Sequence, residues 1–524
     1  MGFLLMLNTL PVDIFENNVF YYLKGQDLYN LSLLNRGFRE RLNPIRTLGK
    51  LGVRPGSMWP NLQLDFSTEY QKKNRFEPPY ALLVDSSKVQ ESLPELAKIK
   101  WGFPEISVNS PSFPQIYRYL PKAGNVSLLV IEQGGYIDLG KSLQSNIVNE
   151  LMFNSGDKVK GQHVFDILSN LKYMTKLKRI SQVYELDRNF ALAYQKHLPG
   201  SQVEDLELET NCMDDKFVQI LAQGLPGTKV KRLSLHWNEI GDIGVEAISA
   251  VLPKTQIEVL DLGRNQIEGR GIKALADVLP SCKVKELQLT ENSMSPDDMN
   301  EIFKIIHLSN LEIFHFYDPV TQEGLELLSK NLPHSKLKRS TLEITPDMIE
   351  KFLEAVSRSK LEEFHIRTRE GDAVCLQLAS NIENLTVRAL QLSNAQITAP
   401  GLGLLLSQLI KIDLEELDLS DNPIGNDGLK LLSLYLPQTR VKKLKLNRAN
   451  FTDEGVLALA KCLKETKLEW LEIRCYETSN TAIIELIESL PRRMKYLDAR
   501  FSRTVDQQAV GRLVLDYPNT TIFY

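Results

Sequence analysis

Few residues in this chain have the type and spacing that covalent or metal chemistry needs. The stretch Cys212-Met213-Asp214 places a thiol two residues from a carboxylate, and a thiolate of depressed pKa would be a nucleophile. His315 and His365 are metal-ligand candidates by type alone. No phosphate-cradling glycine-rich loop, zinc-ligand cluster or nucleophile elbow is visible in the sequence. A third set, Lys443, Trp470, Arg474, Tyr496, Arg500 and Phe501, suits recognition better than reaction. Aromatic residues and arginine are the side chains that most often dominate protein interfaces.

What positions these residues is a repeat. "VEDLELETN" begins at Val203, "VKRLSLHWN" at Val230, "IEVLDLGRN" at Ile257 and "VKELQLTEN" at Val284, each 27 residues after the last. With small slips the period continues through Leu311, Leu337, Leu361, Val387, Leu414, Val441, Leu468 and Met494, which makes twelve units. Each reads L-x-x-L-x-L-x-x-N, a short strand whose Leu-type positions face one way. A turn and an amphipathic helical run follow, such as "GVEAISAVLP" at Gly244 or "GIKALADVLP" at Gly271. One strand and one helix cannot bury their own apolar faces, so the units must stack and share a core. Asn211, Asn238, Asn265, Asn292 and Asn422 fall at the turn, where a side-chain amide can satisfy backbone groups that leave the strand unpaired. Pro319, Arg369, Ala395, Ala449 and Tyr476 replace it elsewhere.

This pattern resembles the leucine-rich repeats of the ribonuclease-inhibitor type. The resemblance implies an α/β solenoid, a horseshoe with parallel strands inside and helices outside, from Val203 to the last strand, "NTTIFY". Weaker units are expected at Leu177 ("LKRISQV"), Val148 ("VNELMF") and Val126 ("VSLLVI"). A Cys-x-Asp trio is also the nucleophile motif of a bacterial ubiquitin-ligase family that carries such repeats, but there it sits in a separate helical domain. Cys212 instead follows a turn asparagine directly, where a small buried residue is expected.

Recognition is expected on the concave face, where the variable strand positions stack into columns about 4.8 Å apart. Early entries, Asp205, Glu207 and Glu209, are acidic; His315, Tyr317, His365 and Arg367 stand in the middle. Lys443, Lys445, Arg448, Trp470, Arg474, Tyr496, Arg500 and Phe501 come last, so charge is segregated along the face. Lys445 is flanked in its column by Asp418 and Glu472, and Lys443 by Glu416, the arrangement of cross-strand pairs. Arg474 and Arg500 neighbour Asn447 and Ser420 with no carboxylate in their column, which favours them as ligand contacts. His315 and His365, with an acid or Thr between them, lack metal geometry and are expected at the surface.

The opening residues belong to none of these repeats. In "LPVDIFENNVFYYLKGQDLYNLSLLNRGFR", from Leu10 to Arg39, Leu28, Leu31, Leu34 and Phe38 share one helical face, and Ile14, Val19, Phe20 and Leu23 form a second cluster. Leu10-Pro11 starts a helix and "KGQD" makes a turn with Asp27 as N-cap. The stretch is similar to an F-box. Leu10, Pro11 and Asp13 match the opening of that pattern, Val19 to Leu23 its aliphatic run, and Asp27, Leu28, Leu34, Arg36 and Phe38 its second half. One extra residue lies around Glu16-Asn17-Asn18.

The F-box resemblance implies a substrate receptor of a cullin-type ubiquitin ligase. Leu10, Pro11, Ile14, Val19, Leu23, Leu28, Leu34 and Phe38 would hold the S-phase-kinase-associated adaptor on its cullin scaffold. The repeats would hold the protein substrate through Lys443, Trp470, Arg474, Tyr496, Arg500 and Phe501. No catalytic residue, cofactor or metal is implied. The alternative is a regulatory scaffold outside the ubiquitin system, similar to Ran-GTPase activators but without their acidic tail, whose opening helices cap the first repeat. The expected domains are 1–48 for the helical block, 49–125 for linker and degenerate first repeats, and 126–524 for the solenoid.

The composition of the 524-residue chain, 43% hydrophobic and 24% charged, is that of an ordinary soluble protein. A formal charge of −4 gives no global attraction to nucleic acid or anionic membrane. "MGFLLML" lacks the basic and cleavage regions of a signal peptide, and Met6 stands where myristoylation of Gly2 would want Ser or Thr. Five scattered cysteines suit a reducing compartment, so a cytoplasmic or nuclear location is expected.

Overall fold

The computed structural model describes residues 167–183, 188–209, 212–474, 478–500, 513, 517 and 519–523, together with the strands between 53 and 154. The chain forms two compact units, one ending at Ile257 and the other beginning at Glu258.

In the first unit, strands β1 (Val53–Pro55) and β2 (Ala81–Val84) pair antiparallel. From β2 onward every pairing is parallel, through β3 (Glu105–Val108), β4 (Val126–Ile131), β5 (Val148–Asn154), β6 (Arg179–Val183), β7 (Asp205–Glu209) and β8 (Arg232–Ser234). The units expected at Val126, Val148 and Leu177 are therefore strands of this ladder. Its register aligns Leu151, Ile180, Leu206 and Leu233 in one fully buried row. Burying such a row stabilises by roughly 1.5 to 3 kcal/mol per side chain.

Helices Arg188–His197, Asp215–Gly224 and Asp242–Val251 alternate with the later strands. Asp214 caps the second by accepting from Phe217 N at 2.8 Å. That helix lies so close to its predecessor that a Cβ on Gly224 would stand 2.4 Å from Gln195 Cα, a backbone atom that cannot swing away. Gly224→Ala is therefore expected to cost about 1 to 2 kcal/mol by forcing the helices apart. Urea unfolding checks this, and an unshifted midpoint would contradict the close approach.

The second unit repeats the scheme in chain order. Its strands are β9 (Val259–Asp261), β10 (Glu286–Gln288), β11 (Ile313–Pro319), β12 (Arg339–Glu343), β13 (Glu363–Arg367), β14 (Ala389–Gln391), β15 (Glu416–Asp418), β16 (Lys443–Lys445), β17 (Trp470–Glu472), β18 (Tyr496–Asp498) and β19 (Thr521–Phe523), all parallel. The last is the strand expected in "NTTIFY". The middle residues form the core row, with Leu260, Leu287, Phe314, Ser340, Phe364, Leu390, Leu417, Leu444, Leu471 and Leu497 all buried. Ser340 stands between Phe314 and Phe364, a small residue between two large ones. All twelve repeat starts, from Val203 to Met494, are at most 4% exposed.

The turn asparagines do what their position implies. Asn422 Nδ2 donates to the carbonyls of Leu392 (2.7 Å), Leu419 (3.0 Å) and Ser420 (3.2 Å), while Oδ1 accepts from Ala395 N and Ile397 N, both at 3.0 Å. Asn292 and Asn238 make the same kind of links to the preceding repeat, and Asn265 bonds carbonyls of its own turn. Asn211 lies outside the described residues. One residue earlier, Trp237, Arg264, Glu291, Asn394, Asp421 and Arg448 all adopt left-handed backbone, φ between 54° and 60°. Non-glycine residues disfavour that conformation by about 1 to 2 kcal/mol. Four of these positions form two ion pairs between repeats, Arg264 Nε with Glu291 at 2.9 Å and Arg448 Nε with Asp421 at 2.7 Å.

Candidate functional site

The first and third residues of each short strand face away from the core row, so strand register fixes which side chains meet. Lys443 stands opposite Glu416 and Trp470, and Lys445 opposite Asp418 and Glu472. Their ammonium groups are paired as the columns implied: Lys443 lies 2.7 Å from Glu416, and Lys445 lies 3.3 Å from Asp418 and 3.6 Å from Glu416.

One strand further, aromatic rings take over. Trp470 and Tyr496 are directly opposite and stack with centroids 3.7 Å apart and planes 11° from parallel. Lys443 Nζ is 5.4 Å from the indole centroid. Trp470 Nε1 donates to Glu472 at 2.9 Å, and Tyr496 leans on Phe523 at 5.6 Å. Both members of the stack are half-buried.

The two arginines are not without a carboxylate, and the column argument needs correcting there. Asp498 is fully buried. Arg500 donates from Nε (2.9 Å) and Nη2 (2.7 Å) to its two oxygens, and Arg474 donates from Nε to Oδ2 at 2.9 Å. Burial alone would push the Asp498 carboxyl up, but the two guanidiniums outweigh it and hold it below the ordinary carboxylate value. Arg500 reaches two residues back along its own strand and Arg474 reaches diagonally to the next one, so counting only opposing residues missed this partner. Phe501 lies outside the described residues, as do Leu10, Pro11, Ile14, Val19, Leu23, Leu28, Leu34 and Phe38.

Three further expectations need revision. The histidines are half-buried rather than superficial: His315 Nδ1 is 2.9 Å from Thr341 Oγ1, His365 Nε2 is 3.2 Å from Ser393 Oγ, and burial lowers both pKa values. The acidic entries of the first unit are interleaved with arginines. Arg179 Nε lies 3.3 Å from Glu150 and 3.8 Å from Asp205, and its Nη2 pairs with Glu207. Arg232 Nε lies 3.8 Å from both Asp205 and Glu207. Charge is thus less segregated than the acidic residues alone implied. Cys212, finally, is exposed with φ 48°, not a small buried residue. Met213 is the buried member of that trio and Asp214 the helix cap, so the carboxylate of the trio is already engaged with Phe217 N.

Sequence reading overlooked Asp318. The pairing of β11 with β12 slips between His315 and Pro319, and Asp318 Oδ2 is buried there with no hydrogen-bond partner. Burial and the nearby Glu343 raise its carboxyl to about 6, with Arg367 opposing. The Arg367 guanidinium lies 4.0 Å from the Tyr317 ring centroid. A carboxyl whose folded pKa is raised contributes stability at low pH, and that contribution is lost as pH rises through the folded value. Asp318→Asn is therefore expected to be the more stable chain at pH 7.5 by about 1 kcal/mol, and no more stable at pH 4. Denaturant midpoints at the two pH values check the sign; a constant difference would contradict it.

Residues 228–249, 255–276, 412–433 and 439–460 match the family model described as Leucine Rich repeat. These are leucine-rich repeats. The strand rows, turn asparagines and alternating helices extend the leucine-rich-repeat pattern beyond the matched segments. No curated protein matches the sequence. Among solved structures the chain is similar to an internalin from Listeria monocytogenes, with 15% identity over 73% of this chain and 88% of that one and a TM-score of 0.30. It is also similar to a chain of the Toll–Spatzle complex from Drosophila, with 12% identity over 76% of this chain and 54% of that one and a TM-score of 0.31. Among the described residues no helix is long and apolar enough to cross a membrane, and no group of three or more His, Cys, Asp or Glu residues is arranged to hold a metal.

Proposed function

We propose that this leucine-rich-repeat chain is the substrate-recognition subunit of a cullin-type ubiquitin ligase, binding a protein through the open strand face of its second unit. The observation that carries the recognition half is the Trp470–Tyr496 stack beside two forked arginines, Arg474 and Arg500. Rigid aromatic surface next to guanidinium donors is the composition of interface hot spots. Lys443 and Lys445 contribute less, because their charges are already matched across the strands.

The adaptor half rests on the residue pattern from Leu10 to Phe38. In this reading the opening helices dock on the adaptor, the repeats hold the substrate, and ubiquitin transfer is done by other subunits in the cytoplasm or nucleus. Co-elution with purified adaptor in gel filtration tests it. Wild type and Arg474→Ala should co-elute. The double change Leu10→Ala, Pro11→Ala should not, since losing interface anchors costs about 2 kcal/mol or more. Failure of wild type to bind would make the opening helices a cap and the protein a repeat scaffold outside the ubiquitin system.

A further inference from the structure

The Arg474–Asp498–Arg500 cluster is more than an ion pair, because its parts differ in accessibility. Asp498 is 0% exposed, whereas the Arg474 and Arg500 side chains are 41% and 49% exposed. A partner would therefore meet guanidinium edges, not the carboxylate. Each guanidinium has five N–H donors. Among the described residues Arg500 uses Nε–H and one Nη2–H on Asp498, and Arg474 does the same, so each keeps three there. The buried carboxylate holds two like charges side by side in fixed orientations, so a ligand would not have to order them.

Charge and spacing narrow the ligand. Two cations and one anion leave a single positive charge. Glu472, held by Trp470 Nε1 and Asn447 Nδ2 at 2.9 Å each, adds a negative charge on the neighbouring strand. Asn447 Oδ1 accepts from Arg474 N at 3.1 Å, which places that acidic neighbour close to the cluster. Such a seat suits a monoanion better than a dianion. Planar forks match a planar carboxylate, to which two parallel N–H groups can donate. Arg500 folds back onto Asp498, two residues from Tyr496 on the same strand, a distance of about 7 Å. An extended peptide spans that distance between residues i and i+2.

We propose that this cluster is a carboxylate seat for an acidic segment of the partner protein, in which an Asp or Glu stands two residues from an apolar or aromatic residue that packs on the Trp470–Tyr496 stack. The proposal rests on the reading of this strand face as the substrate-holding surface and gives that substrate a chemical class.

The test is selection of random twelve-residue peptides displayed on phage against the full-length chain, in low salt. Enriched peptides should share an acidic residue two positions from an aromatic one. Synthetic copies should bind Arg500→Ala about tenfold more weakly than wild type, and lose affinity when the acid is replaced by its amide or when sodium chloride is raised. In Arg500→Ala, Asp498 keeps Arg474, and thermal unfolding checks that the fold survives. Arg500→Lys keeps the charge but not the fork, and should also lose discrimination between acid and amide. No enrichment, enrichment without an acid, or equal binding to wild type and Arg500→Ala would overturn the proposal. Tighter binding of a phosphoserine version would overturn the assignment to carboxylate. Adaptor co-elution is unaffected by these arms, so loss of acidic-peptide binding with adaptor binding intact rejects this inference alone.

Discussion

Asn422→Ala is expected to lower the stability of the second unit by about 3 to 5 kcal/mol, the largest effect of any single change considered. The residue is 1% exposed, and five backbone groups depend on its amide. Truncation leaves the N–H groups of Ala395 and Ile397 buried without a partner, at about 1 to 3 kcal/mol each. It also frees the carbonyls of Leu392 and Leu419, one in the preceding repeat and one in its own. Asn422→Asp should be nearly as damaging, because a carboxylate cannot donate to those carbonyls. Chemical denaturation measures both, and a loss below about 1 kcal/mol would mean that water replaces the amide.

Asp498→Ala is expected to cost about 2 to 3 kcal/mol. Removing one partner from a buried ion pair typically costs 3 to 5 kcal/mol, about the upper limit here. Both arginines are partly exposed and can rehydrate, which sets the lower expectation. Arg474→Ala should cost less, since Asp498 keeps its bidentate contact with Arg500. The pH dependence follows from the sign of the shift. The Asp498 carboxyl is depressed, so its contribution is complete above the ordinary carboxylate pKa and is lost as pH falls through the depressed one. The stability difference between wild type and Asp498→Ala should therefore be constant from about pH 6 to 8 and shrink on acidification below about pH 4. A difference that grows on acidification would contradict the clamp.

Much of this architecture is written in the sequence because the repeat states it many times. Leu-type positions at fixed offsets define the buried row, and the asparagines announce a turn whose carbonyls and amides need a partner. The left-handed residue before each of these turn positions was not legible: Trp237, Arg264, Glu291, Asn394, Asp421 and Arg448 carry no glycine to mark it. Their conformation is imposed by the turn bonds around them. The lysine pairs at Lys443 and Lys445 could be read from opposing strand positions. The arginine clamp could not, because the two long side chains bend to one acid that stands opposite neither of them, Arg500 along its own strand and Arg474 diagonally across. Cys212 and the two histidines were misplaced for a related reason, since period gives a residue's row but not the depth at which it sits. Asp318 lies at a slip in strand register that no periodicity records.

The central claim, that the open strand face near Trp470 and Tyr496 binds a protein, is tested most directly by photocross-linking in cells. A photoreactive residue replacing Thr521 would sit one strand from Tyr496 on that face, and Thr521 is exposed. A control would replace Leu434, 59% exposed on helix Gly425–Tyr435. The account predicts a discrete protein adduct from position 521 that Arg500→Ala removes, and none from position 434. Adducts from the helix alone, or an adduct at 521 indifferent to Arg500→Ala, would contradict it.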